Sequence, residues 1–186
     1  GSFQIDAQYY YEDSLINVPK VDEKARLSAY GNINYSLKNF TMGVRYEAYL
    51  PRPILGIDES YAGSGIANRF LRYDGERISI TVGHFYEQFG MGMTLRSWWE
   101  PLIGYDNAID GVRVVLNPIR GLTVKGVAGH QRLFWGQSKG VVRGADMEVD
   151  LASLLDTLWR SKTQIRFGGS VVSKYEPGKT ALVGAY

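Results

Sequence analysis

Apolar and polar residues alternate with a period of two through much of this chain, most regularly over residues 25–50. Leu27, Ala29, Gly31, Ile33, Tyr35 and Leu37 share one parity; Arg26, Ser28, Tyr30, Asn32, Asn34 and Ser36 share the other. Successive side chains of a strand point to opposite sides of the pleat, so the pattern predicts a strand with one apolar and one polar face. Lys38-Asn39 makes a minimal turn. Phe40, Met42, Val44, Tyr46, Ala48 and Leu50 then resume the apolar parity against Thr41, Gly43, Arg45, Glu47 and Tyr49. Each arm of this hairpin runs to about ten residues, enough for a tilted strand to cross a bilayer core and about twice the usual soluble strand.

The same period predicts strands over residues 3–11, 66–73, 77–85, 108–117, 122–134, 145–151 and 162–175. In the strand at 66–73, Arg69, Leu71 and Tyr73 do not separate cleanly by polarity. Connections alternate in length. Residues 12–24, 51–65 and 86–107 read as long loops, whereas Lys38-Asn39, Asp74-Gly75 and the Pro118 to Gly121 step read as tight turns. Residues 135–140 read as an intermediate connection and 154–160 as a short helical turn. One ragged end and one tidy end is the asymmetry of outer-membrane barrels. It places the N-terminus in the periplasm, Trp98, Trp99 and Trp135 near the outer rim, and Trp159 near the inner one. The fold expected is all-β: an antiparallel up-and-down meander of about eight to ten strands, forming a transmembrane β-barrel or a fragment of a larger one. Because single-chain bacterial barrels have even strand numbers and residues 179–186 at most begin a tenth strand, a single domain over 1–186, incomplete at its C-terminus, is expected.

Composition narrows the partners. The 21 basic and 19 acidic residues leave a net charge of +2, and the basic residues are dispersed, so no nucleic acid partner is implied. The absence of cysteine removes disulfides and thiolate chemistry. No stretch reaches the roughly 18–20 apolar residues of a spanning helix, so a membrane crossing would be made by strands. The opening GSFQIDAQYYY lacks the basic and apolar regions of a signal peptide, as in a chain that is mature, truncated or tagged at Gly1-Ser2.

The stretch GHFYEQFGMGMTLRSWWEPLIGYDNAIDGVRV, with SFQIDAQYY, GVRYEAYL and GLTVKGVAGHQR, resembles a family of uncharacterised outer-membrane β-barrel proteins from Bacteroidota. The resemblance implies outer-membrane location and a longer full-length barrel; it carries no activity or catalytic residues. Asp13-Ser14-Leu15 and Asp156-Thr157-Leu158 resemble the acceptor triplet of Bacteroidota O-glycosylation, with Ser14 and Thr157 as the acceptors.

Candidate chemistry gathers on the polar parity. Tyr86, Glu87, Gln88, Arg96 and the Gly90-Met91-Gly92 step form the densest polar and glycine-rich cluster. Either this segment folds inward to narrow a pore, with Glu87 and Arg96 as a charge filter, or it is a packed loop in which Glu87 and Arg96 pair. Arg45, Glu47, Arg113, Lys125, Asp146, Glu148 and Asp150 point to the barrel interior, to tune solute selection or to form salt-bridge ladders. The ladder suits the opposite-sign pairs, and the three acids of the 145–151 strand are the expected exception. His84 and His130 fall on the lipid-facing parity near outer strand ends, where packing explains them. Neither metal-ligand spacing nor a nucleophile elbow is present, so no metal, cofactor or catalytic residue is assigned. The leading function is a passive channel or a scaffold subunit of an envelope complex in the bacterial outer membrane, with the lipid bilayer and other envelope proteins as partners. The alternatives are a soluble lipocalin-like ligand-binding barrel and an outer-membrane hydrolase assembled across strands.

Overall fold

A computed structural model of the chain describes residues 1–13, 15, 20–154 and 165–176. Nine antiparallel strands form one sheet in the order β1 (Ser2–Tyr9), β2 (Ala25–Leu37), β3 (Phe40–Tyr49), β4 (Gly63–Asp74), β5 (Ile78–Phe85), β8 (Ile109–Leu116), β9 (Leu122–Leu133), β10 (Gly136–Asp150) and β11 (Arg166–Tyr175). Two-residue strands β6 (Trp99–Glu100) and β7 (Tyr105–Asp106) pair with each other between β5 and β8, and helical turn α1 (Leu151–Leu154) follows β10. The meander expected from the alternation is present. The closed barrel is not: among the described residues β1 pairs only with β2, and β11 only with β10.

Cross-strand register carries the two-faced pattern through the sheet. One row runs Phe40, Tyr73, Ile80, Val114, Gly126, Ala145, Val171 and belongs to the face called outer here. The adjacent row runs Thr41, Arg72, Thr81, Arg113, Val127, Gly144, Val172 on the inner face, against which residues 86–107 pack. Most outer-face side chains are apolar and uncovered: Ile33 is 73 % exposed, Val82 51 % and Val171 67 %, with the exposed cations Arg69 and Arg143 among them. Burial is concentrated on the inner face, in one cluster of Tyr30, Tyr49, Ile54, Ile57 and Tyr61 and another of Phe85, Phe89, Ile109, Val127 and Val142.

Several boundaries differ from the expected ones. The connection expected at 135–140 is instead the start of β10, which reaches 15 residues because a hairpin turns at Phe134-Trp135 and pairs Gly136 with Leu133. The mixed polarity of β4 has a cause: the register shifts at Ala67, an extra residue opposite Arg45 and Tyr46, so Ile66 and Arg69 both fall on the outer side despite odd spacing. A helical turn is present at Leu151–Leu154; of the turn expected at 154–160, residues 155–160 lie outside the described residues. Trp159, Ser14 and Thr157 lie outside the described residues.

One seam of the sheet opens. β4 pairs with β5 only from Phe70–Gly83 to Asp74–Ser79, so residues 63–69 of β4 pair with no strand on that side among the described residues. The tip of the β9–β10 hairpin reaches across instead, and the indole N–H of Trp135 donates to the Tyr61 carbonyl at 2.8 Å.

Candidate functional site

After Phe85 the chain leaves the sheet and doubles back. The Glu87 N–H donates to Ser97 Oγ at 2.8 Å, the Ser97 N–H to the Glu87 carbonyl at 2.9 Å, and the Phe89 N–H to the Leu95 carbonyl at 3.0 Å. Gly90 and Gly92 turn the narrow loop with φ of 50° and 85°, values that suit glycine. Phe89, 1 % exposed, is the apolar anchor of this segment. Room for its ring exists because residue 144 has no side chain: a Cβ there would lie 2.7 Å from the Phe89 ring. The β6–β7 pair then delivers Asp106 to the inner face.

Asp106 completes a buried quartet of charges with Arg45, Glu47 and Arg132. Arg45 and Arg132 both donate to Asp106 Oδ2, while Arg132 Nη2 donates to Glu47 Oε2 at 2.9 Å. Arg45 Nε lies 2.7 Å from Glu47 Oε1 as an ion pair without hydrogen-bond geometry. The second oxygen of Asp106 accepts from the Tyr86 hydroxyl and the Ala108 N–H, each at 3.0 Å, and Tyr49 donates to Glu47 at 3.2 Å. Trp99 covers the Arg45 guanidinium at 3.9 Å from its ring centroid. Two cations and two anions alternate, so the quartet is neutral and each carboxylate is held by more than one donor. Buried charges persist only when paired and hydrogen-bonded in this way.

A second cluster lies further along the inner face. Glu87 accepts from Arg113, and Lys125 Nζ sits 3.8, 3.6 and 3.2 Å from Glu87, Asp146 and Glu148. The expected pairing of Glu87 with Arg96 is therefore corrected. Arg96 is exposed and stacks over Trp98 at 4.7 Å, because the Gln88–Arg96 bridge turns their side chains away from the inner face. Asp146 and Glu148 are corrected from unpaired acids to partners of Lys125, which stands directly across the β9–β10 ladder from Asp146. Asp150 is a cap: its carboxylate accepts from the backbone N–H groups of Ala152 and Ser153 at 3.0 and 3.3 Å. Trp99, expected near the outer rim, packs on Tyr30 and Arg45. Trp98 stacks on Tyr105 at 4.6 Å and stays partly exposed. Replacing Arg96 by Gln should change stability by no more than about 0.5 kcal/mol, as expected for an exposed side chain; denaturant unfolding measures it.

A model of a family of unknown function, DUF6029, matches residues 1–183. The chain belongs to this family. A search of curated proteins found no match.

Two residues of the quartet were not singled out from the sequence. Asp106 lies in a stretch without strand period. Arg132 falls on the parity of His130, which would aim it outward, yet the open seam lets it turn in toward Glu47. His84 does keep the outer parity but is buried, 3.9 Å from Asp110 through Nε2, and its Nδ1 meets the backbone of Arg69 at 3.3 Å. Among the described residues no hydroxyl is hydrogen-bonded to His84. Chemically, the two ion clusters can brace and occupy the inner face.

Proposed function

We propose that this member of the family forms part of the wall of a bacterial outer-membrane β-barrel, with its outer face against lipid and its inner face filled by its own residues 86–107. One observation carries the reading: along nine strands the exposed face is predominantly apolar, Arg69 and Arg143 apart, while the ion-paired clusters are gathered on the covered face. In water so extensive an apolar surface would drive association, whereas lipid makes it the favourable solvent-facing side. A lipocalin-like ligand barrel needs the opposite polarity, apolar within and polar without, which weighs against the soluble alternative. Between channel and scaffold the inner face favours a scaffold. Arg45, Glu47, Asp106 and Arg132, and Glu87, Arg113, Lys125, Asp146 and Glu148, are bound to one another, and Phe89 and Trp99 pack into the same face.

The test is insertion and conductance. The chain should co-float with phospholipid vesicles, should show heat-modifiable gel mobility in detergent, and should pass no unitary current in planar bilayers. Stable current steps would favour a channel. Monodisperse behaviour without detergent would defeat the membrane reading itself.

A further inference from the structure

The open seam between β4 and β5 bears on what meets the outer face. Beside it lies a recess of about 370 Å³ lined by Arg69, His84, Asp110, Phe134, Trp135 and Gln137, among others. Directly next to it is a shallow groove of about 440 Å³, walled by Ile33, Met42, Val44, Leu71 and Val82. Arg69 lines both. The combined site is amphiphilic in sequence: an apolar track the width of a few strands, then a guanidinium, then a polar pocket with an indole at its edge.

The charges within it are unequal in availability. The Asp110 side chain is only 15 % exposed and is engaged by Gln137, with Arg69 Nη2 at 3.6 Å and His84 at 3.9 Å. Arg132 is committed to Glu47 and Asp106. The Arg69 side chain is 61 % exposed, and among the described residues its ion pairing is that long contact to Asp110. The accessible charge is therefore a cation with donors to spare. On a mostly apolar face such as this one, which also carries the exposed Arg143 on β10, an exposed guanidinium is unfavourable in hydrocarbon unless a polar or anionic group meets it.

We propose that this site holds one lipid of the surrounding leaflet, its acyl chain along Met42, Val44, Leu71 and Val82 and its phosphate on Arg69. The inference rests on the membrane reading above. Guanidinium and phosphate match as a two-pronged, charge-assisted hydrogen-bonded pair, and cationic pockets beside apolar tracks recognise lipid headgroups. The track decides for a lipid rather than an acidic protein segment, since it continues from Arg69 along the apolar face.

The experiment uses the chain in nanodiscs, delipidated stepwise in detergent and read by native mass spectrometry with two probes: lipid A and lipid A stripped of its phosphates. Wild type should retain the phosphorylated lipid about tenfold better, the worth of roughly one charge-assisted pair. R69Q should abolish that preference, R69K should keep part of it, and R72Q, on the inner row, should leave it intact. Equal retention of both lipids, or a preference unchanged in R69Q, overturns the site while leaving the membrane reading standing. Release of a bound protein from R69Q, with lipid retention unchanged, would assign the recess to a protein partner and also overturn it. Failure to enter nanodiscs would overturn the membrane reading and the site together.

Discussion

Asp106→Ala is expected to lower folding stability by about 3–5 kcal/mol, the range for removing one partner of a buried charge pair. The carboxylate accepts hydrogen bonds from both Arg45 and Arg132, and it also takes the Tyr86 hydroxyl and the Ala108 N–H. Its loss leaves two guanidiniums facing one remaining carboxylate, Glu47, in a place closed to water. Asp106→Asn keeps the shape and an acceptor oxygen but not the charge, so it should lose less than the alanine variant. Tryptophan fluorescence during denaturant unfolding reports the loss, because Trp99 sits on Arg45. Equal stability of wild type and the alanine variant would show that the quartet braces nothing.

A larger effect is expected from Gly111→Val. A Cβ at this position would stand 2.0 Å from the Ala128 carbonyl oxygen and 2.5 Å from Gly129 Cα. Both obstacles are backbone of the neighbouring strand, which has no rotamer to yield, so β8 and β9 would have to separate. Overpacking against mobile side chains costs about 1–3 kcal/mol, and a backbone clash exceeds that. The valine variant should therefore give no folded, heat-modifiable species. Gly126→Val is the control. Nothing lies within 4 Å of a Cβ built there, on the outer row of the same β9 strand, so its stability should stay within about 0.5 kcal/mol of wild type.

The strands were legible because alternation is a local property: β2 and β3 can be read from their own residues, and their facing register follows from the Lys38-Asn39 turn. Where alternation breaks, so did the reading. Ala67 slips the parity of β4, and the Gly-Gln-Ser-Lys-Gly start of β10 carries no apolar period to announce a strand. The site was legible by halves. Parity put Arg45, Glu47 and Lys125 on the covered face, but the partners of Arg45 and Glu47 come from sequence positions that periodicity does not govern. Asp106 sits in a two-residue strand, and Arg132 reaches inward only through a seam that exists because β4 and β5 part above Phe70. The one available signal was an acid, Asp106, placed directly before the buried Asn107-Ala108-Ile109 step.

The quartet also has a temporal meaning. Its members are drawn from β3, β7 and β9, and its bonds join residues 61, 26 and 85 positions apart in the chain. Such long-range contacts carry their loop-closure cost before they are rewarded; if the quartet closes after the rate-limiting step, its strength is felt on the way out rather than on the way in. In the Asp106→Ala unfolding experiment, the lost stability should then appear as faster unfolding at an almost unchanged folding rate. On that outcome the charged cluster would be a latch, closing late and setting how long the assembled sheet lasts.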